Sequence, residues 1–136
     1  MKSLILVPFA LMPAFTQAAS LDVRIEGLRS TEGHLLFALT DSAAAWDGDA
    51  EARARVRQPV KASTEVVRVD DLPPGSYAVQ VVHDANDNGR MDTNVIGMPT
   101  ENYGFSQNPN VMRKARFEEA RFELAADGGT IVIELR

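Results

Sequence analysis

The stretch LPPGSYAVQVVHD, residues 72–84, decides the fold class. Its first residues form a tight turn, because proline fixes φ and glycine accepts a positive φ. From residue 77 onward, successive side chains of a strand point to opposite faces. One face then carries Tyr77, Val79, Val81 and His83, and the other carries Ala78, Gln80, Val82 and Asp84. The stretch therefore predicts a largely apolar strand that is entered through a turn.

The same alternation recurs along the chain. It predicts strands in LDVRIEGL (21–28), HLLFALT (34–40), TEVVRVDDL (64–72) and TIVIELR (130–136). EARARVRQPV (51–60) alternates in the same way, although its composition would equally suit a short helix. MRKARFEEARFELA (112–125) has high helix propensity, but the alternation of Ala120, Phe122 and Leu124 favours a strand over 120–124. About seven short strands with Gly and Pro turns predict an all-β fold, an antiparallel β-sandwich.

The N-terminal stretch MKSLILVPFALMPAFTQAAS has the order of a secretory signal. Lys2 is its only charge, an apolar run extends from Leu4 to Phe15, and small residues follow. We predict a signal peptide over residues 1–18 and a single domain over residues 19–136. An uncleaved anchor is the alternative, but the apolar run is shorter than the ~20 residues that span a bilayer. The predicted location is periplasmic or secreted, with no membrane span in the mature chain.

Composition excludes several classes of function. The chain of 136 residues contains no cysteine, which rules out thiol chemistry, zinc–thiolate sites and iron–sulfur clusters. Its net charge of −5 and the lack of a basic stripe argue against a nucleic-acid partner.

Residues 83–108 form a long polar stretch, and its first part has the spacing of a cation-binding loop. DANDNGRMD, residues 84–92, reads D-x-N-x-N-G-x-x-D. Oxygen-bearing side chains at alternate positions of a tightly wound loop point inward, and glycine at the sixth position permits the sharp turn. The pattern predicts a Ca²⁺ site whose ligands are the side chains of Asp84, Asn86, Asn88 and Asp92 and the backbone carbonyl of Arg90.

The loop differs from a helix–loop–helix calcium site. Val95 stands where that site has a bidentate glutamate, and the preceding segment is a strand. Glu101 is the candidate for the missing carboxylate if the chain folds back. The competing interpretation is a metal-free turn, because Asn88-Gly89 is also a strong hairpin signal.

Three residues that flank this loop are candidates for orienting it or for contacting a ligand. His83 is either a half-buried histidine held by backbone groups or a base or ligand beside Asp84 and Glu101. Tyr103 and Phe105 are expected to form a lid over the end of the sandwich, and exposed aromatic side chains there would suit a ligand such as a sugar.

Residues 72–108 resemble a bacterial exported family catalogued as domain of unknown function 2141. The resemblance rests on a Leu-Pro-x-Gly-x-Tyr-Ala entry followed by two polar motifs, H-D-x-N-x-N-G-x-x-D-x-N and G-x-P-x-E-x-Y-G-F-S-x-N. Fifteen fixed positions of these two motifs are met: His83, Asp84, Asn86, Asn88, Gly89, Asp92, Asn94, Gly97, Pro99, Glu101, Tyr103, Gly104, Phe105, Ser106 and Asn108. The chain departs from the family at Ala115 and Arg116, where a proline is more usual.

What the resemblance implies is an exported β-sandwich, similar to transthyretin-like and carboxypeptidase-regulatory-like domains, without an established activity. Taken with the loop, it predicts a non-enzymatic module that binds a small ligand, a glycan or an envelope protein. The alternative is a metal-assisted hydrolase that uses Asp84, Asp92, Glu101 and His83.

Overall fold

The computed structural model describes residues 3–5, 8, 10–11, 18–90 and 101–136. The described chain contains eight strands and two one-turn helices. In order they are β1 (Ala19–Glu26), β2 (His34–Thr40), α1 (Ala43–Trp46), β3 (Ala54–Pro59), β4 (Glu65–Leu72), β5 (Gly75–Asp84), β6 (Tyr103–Phe105), α2 (Phe117–Ala120), β7 (Phe122–Leu124) and β8 (Gly129–Glu134).

The strands form two sheets. One sheet has the order β4-β1-β8, and the other has the order β3-β2-β5-β6, with β7 pairing beside β6 on the same edge of β5. This architecture confirms the all-β sandwich. The pairs are antiparallel except for β1 with β8, which run parallel. That pair joins the first and last strands of the sandwich, so no short hairpin imposes an antiparallel direction on it.

The hydrophobic core lies between the two sheets. Alternate residues of β1 point into it, and Leu21, Val23 and Ile25 are fully buried. Leu35, Phe37 and Leu39 of β2 meet them from the other sheet. Each fully buried apolar side chain of this kind contributes about 1.5–3 kcal/mol relative to exposure. This pattern is the period-two alternation that predicted the strands.

A second apolar cluster covers one end of the outer face of the five-stranded sheet. It contains Trp46, Ala78, Phe105, Ala115, Phe117 and Ala120. The Trp46 indole Nε1 donates a hydrogen bond to the Ala115 carbonyl over 2.8 Å, which ties α1 to the segment before α2. The two short helices therefore pack on the sheet as a cover.

Both ambiguous segments are resolved. Residues 54–59 form a strand, as the alternation of arginine with small apolar residues predicted. In the segment 112–125 the predicted strand is present but shorter, over Phe122–Leu124, and Ala120 instead ends a helical turn that begins at Phe117. None of the described helices is long and apolar enough to cross a membrane.

A charged cluster at α2 makes stability depend on pH. Glu119 accepts hydrogen bonds from the Arg113 guanidinium over 2.6 Å and from the Arg116 backbone N–H over 3.0 Å. These bonds lower the pKa of Glu119 from 4.5 to about 2. A carboxylate with a lowered pKa stabilises the folded state above the pKa of the unfolded chain, and the contribution is lost as the pH falls through the folded value.

We expect Glu119→Gln to flatten the loss of stability between pH 4.5 and about pH 2. Urea unfolding measured at several pH values checks this. Glu118→Gln is the matched control, since Glu118 lies on the same turn and forms a single 3.4 Å pair with Arg121. The same decrease in the free energy of unfolding at low pH in the Glu119→Gln variant and in the parent protein would contradict the role given to Glu119.

Candidate functional site

The carboxylate of Asp84 is the centre of the candidate site. Asp84 is the last residue of β5, and it is fully buried although aspartate side chains are mostly exposed. Its Oδ1 accepts a hydrogen bond from the Asn88 backbone N–H over 3.2 Å, and its Oδ2 accepts one from Gly89 over 2.7 Å. The loop therefore folds back over the carboxylate at the position where the sequence predicts the first cation ligand.

The turn itself is tightly wound. Asp87 and Gly89 have φ values of 57° and 78°. The Asn86 side-chain oxygen accepts from the Asn88 N–H over 3.3 Å, so Asp84 and Asn86 share one donor and their oxygens lie on the same side of the loop. The Asn88 side-chain oxygen accepts from the Arg90 N–H over 3.1 Å. The side chains at alternate positions thus turn towards the loop backbone.

Glu101 lies next to the start of this loop. Its Oε2 accepts a hydrogen bond from the Ala85 N–H over 3.2 Å, so the chain returns to the start of the loop, and its role as a cation ligand stays a prediction. The structure brings together Asp84, Asn86, Asn88 and Glu101 around one short backbone segment. Asp92 lies outside the described residues, and its place in the site stays a prediction. Within the described chain, no group of three or more His, Cys, Asp or Glu side chains has metal-binding geometry.

Gly33 supports the start of the loop from the connection between β1 and β2, which crosses from one sheet to the other. It has φ +70°, and a Cβ added there would lie 2.0 Å from the Asp84 carbonyl oxygen and 2.8 Å from the Ala85 Cα. Only glycine permits this close approach of two backbone segments. The position of the Asp84–Ala85 peptide therefore depends on Gly33.

Asp87 fastens the tip of the loop to the sheet. Its Oδ1 lies 2.5 Å from His34 Nδ1 and 3.2 Å from the Arg57 guanidinium. His34 pairs directly with Asp84 in the register of β2 and β5. Sequence reasoning missed both contacts, because they depend on strand order and register, which no local pattern encodes.

His83 points away from the cation loop. It pairs with Leu35 of the core and is 3% exposed, and its Nε2 lies 2.7 Å from the Glu32 carbonyl. Adjacent residues of a strand face opposite sides, so the ring is on the other side of β5 from the Asp84 carboxylate. His83 thus holds the connection between β1 and β2 that carries Gly33.

Residues 102–108 close one edge of the sandwich, so they are not an open lid. Tyr103 and Phe105 lie in a strand, β6, and not in a loop as the sequence predicts. The backbone of Tyr103 exchanges two hydrogen bonds with Arg136, at 3.2 and 2.9 Å, which joins the two sheets. Phe105 is buried with its ring centroid 5.8 Å from that of Trp46. These aromatics support the fold, and Phe105 presents no surface to a ligand.

Ser106 and Asn108 complete this closure. The Ser106 hydroxyl accepts from the Val79 N–H over 2.9 Å and donates to the Ala120 carbonyl over 2.5 Å. The Asn108 side-chain amide donates to the Val132 carbonyl and accepts from the Glu134 N–H. It therefore satisfies two backbone groups of β8, as a residue of a neighbouring strand would. The described residues of the second motif from position 103 to position 108 therefore have structural roles, which leaves the 84–92 loop and Glu101 as the candidate site.

Comparison with known proteins supports the resemblance seen in the sequence. A family model described as "Uncharacterized protein conserved in bacteria (DUF2141)" matches residues 23–132. Searches of curated proteins and of solved structures gave no match. Likeness to transthyretin-like domains therefore stays a prediction. The match spans both sheets and the whole of the candidate site, and the chain belongs to the DUF2141 family of bacterial proteins.

Proposed function

We propose that the protein is an exported, non-enzymatic binding module whose 84–92 loop is ordered by Ca²⁺. One observation carries the calcium assignment. The carboxylate of Asp84 is fully buried, its own loop closes over it, and no described Lys, Arg or His forms an ion pair with it.

The cost of burying a charge explains why this observation matters. An ionised carboxylate is expensive to remove from water unless it is hydrogen-bonded and paired with a cation. Two backbone N–H groups offset part of that cost for Asp84. Each carboxylate oxygen has about two lone-pair sites, so each one keeps a site for a cation after accepting one N–H.

The neighbouring oxygens suit a hard cation. Calcium takes 6–8 oxygen ligands in flexible geometry, and a bidentate carboxylate commonly completes the set. The Asn86 oxygen lies beside that of Asp84, and Glu101 reaches the same backbone segment. The ligand set would combine the side chains of Asp84, Asn86, Asn88 and Glu101 with the Arg90 carbonyl and Asp92. With so few carboxylates we expect a Kd of about 10⁻⁴–10⁻³ M, the range of extracellular sites.

Export is supported by where the sandwich begins. β1 starts at Ala19, which is buried and pairs with Leu72. Cleavage after Ala18 would remove the apolar N-terminal stretch and leave β1 complete. The location we propose is the periplasm or the extracellular space, where calcium at that affinity would occupy the site.

The hydrolase alternative gains no support from the site. It requires a base beside the metal. His83 faces the core side of β5, and its ring is engaged by the Glu32 carbonyl. We therefore propose that the protein binds a ligand or a partner and is not a hydrolase. The 84–92 loop would be an ordered part of the binding surface.

Calorimetric titration of the purified protein with CaCl₂ tests the assignment. We expect one ion per chain, and Asp84→Asn should weaken binding at least about tenfold, since it removes a charged ligand. Asp87→Asn is the matched control, because its carboxylate is turned towards His34 and Arg57. It should change the Kd by less than about threefold, the effect of a screened charge outside the ligand set. Equal losses in the two variants would contradict the proposed ligand set.

A further inference from the structure

A shallow groove lies on the outer face of the five-stranded sheet, beside the candidate calcium loop. Its volume is about 330 Å³. The side chains that matter to the argument are Leu36 and Ala38 on the floor, Arg55 and Arg57 on one wall and Gln80 on the other, and Gly89 of the loop borders it. The apolar cover formed by α1 and α2 occupies the other end of the same face.

Strand register explains the shape of the groove. Ala38 of β2 pairs with Arg55 of β3 on one side and with Gln80 of β5 on the other. Side chains directly opposite each other on neighbouring strands have Cβ atoms about 5 Å apart. Arg55 and Gln80 therefore face each other across roughly 10 Å, with only a methyl group between them. The small side chain of Ala38 creates the depression.

The polar groups on the two walls have unused hydrogen-bonding capacity. Within the described part of the chain, neither the Arg55 guanidinium nor the Gln80 amide has a hydrogen-bonding partner. Gln80 is half-buried in the middle of the central strand, where an apolar side chain would be the ordinary choice. The Gln80 amide is not among the buried unpaired groups of the described chain, so it is open to solvent like the exposed Arg55, and both are accessible to a bound molecule.

A third polar group is held in position. Arg57 lies one row along from Arg55, opposite Leu36, and its guanidinium is bonded to Asp87 of the loop. Asp87 is also shared with His34, so a single carboxylate serves two basic side chains. The groove therefore presents two guanidinium groups along one wall and an amide on the other, above an apolar floor.

We propose that this groove binds a small hydroxylated carboxylate of about the size of a sugar acid. The forked donors of arginine match a carboxylate, which Arg55 and Arg57 would hold from one wall. The Gln80 amide would bond a hydroxyl group, and Leu36 and Ala38 would contact the apolar face of the ligand. A volume of about 330 Å³ is at the lower end of small-ligand sites. The inference rests on the proposed binding function and names its ligand class, while its geometry does not require calcium.

The competing explanation is that Arg55 and Arg57 only protect an edge. β3 is the outermost strand of its sheet, and charged side chains discourage edge-to-edge aggregation. That explanation predicts no saturable binding and no role for Gln80 or for the small size of Ala38.

Titration of the ¹⁵N-labelled protein with sodium glucuronate distinguishes ligand binding from edge protection. Glucose serves as the uncharged counterpart, and the ionic strength is the same in both titrations. We expect saturable shifts of amide signals in residues 36–38, 55–57 and 80 with a millimolar Kd, and no comparable shifts with glucose. Arg55→Gln should weaken binding about tenfold, the value of one charge-assisted hydrogen bond. Arg24→Gln is the charge-matched control on the other sheet, where Arg24 is exposed and pairs with Glu26, and it should bind as the parent does.

A steric variant separates the groove from general electrostatic attraction. Ala38→Leu keeps every charge but fills the floor of the groove, so it should abolish the shifts that glucuronate induces. The spectrum of this variant without ligand should remain that of a folded protein. The titrations are run in calcium and in chelator. Binding in both conditions supports the groove whatever the outcome for the calcium site. Failure of glucuronate to shift these signals at about 20 mM, well above a millimolar Kd, or equal binding by Arg55→Gln and Arg24→Gln, would overturn the inference.

Discussion

Replacing Gly33 by alanine should destabilise the protein by about 4 kcal/mol, among the largest effects expected of a single substitution. Two causes combine. Alanine at φ +70° costs about 1–2 kcal/mol in a left-handed conformation. In addition, the new Cβ would lie 2.0 Å from the Asp84 carbonyl oxygen, so the backbone of β5 or of the β1–β2 connection must move. Urea unfolding gives the loss of stability.

Gly48→Ala is the matched control. Gly48 has φ +85°, but a Cβ added there meets nothing within 4 Å. It carries the conformational strain without the clash, so its cost should be only about 1–2 kcal/mol. Similar losses for the two variants would show that the close approach of Gly33 to the Asp84–Ala85 peptide is not a feature of the folded protein.

Ser106→Ala should cost about 3 kcal/mol, because Ser106 bridges a gap in the sheet. β6 pairs with residues 80–82 of β5 and β7 pairs with residues 75–77, which leaves residues 78–79 between the two partner strands. The hydroxyl of the fully buried Ser106 serves the Val79 N–H and the Ala120 carbonyl. Its removal leaves two buried polar groups unsatisfied, at about 1–3 kcal/mol each.

Thr40→Val provides the comparison for this variant. Thr40 is also buried on the five-stranded sheet, but its hydroxyl makes a single long hydrogen bond of 3.4 Å, to the Ala78 carbonyl. We expect a loss of about 1 kcal/mol or less by urea unfolding. If Ser106→Ala were no more costly than Thr40→Val, the bridging role would be wrong.

The strands were predictable because burial imposes a period of two on the sequence. Leu21, Val23 and Ile25 alternate with polar residues, and they are the fully buried residues of β1. β6 was missed because it is only three residues long and has a glycine at its centre. Gly104 is required there because a Cβ would come within 2.6 Å of the Ile133 side chain, which is a tertiary contact. The parallel pairing of β1 with β8 likewise has no local signal.

In the candidate site, too, some features follow from the local sequence and others depend on tertiary contacts. The wound loop from Asp84 to Gly89 follows from its local sequence, since its side chains bond to backbone only two to five residues away. The contacts of Asp87 with His34 and Arg57 join residues 53 and 30 positions apart, and only strand order brings them together. The groove over Ala38 has the same origin, because three strands from distant parts of the chain build it.

Thermal unfolding of the purified protein in calcium and in chelator tests the central claim, that calcium orders the 84–92 loop. At a calcium concentration roughly 20 times the Kd, binding to the folded state alone should add about 1.8 kcal/mol of stability. For a domain of this size that raises Tm by about 5–10 °C. Asp84→Asn should remove most of the shift. A Tm that is the same in millimolar calcium and in chelator would contradict the claim and leave the loop as a metal-free turn.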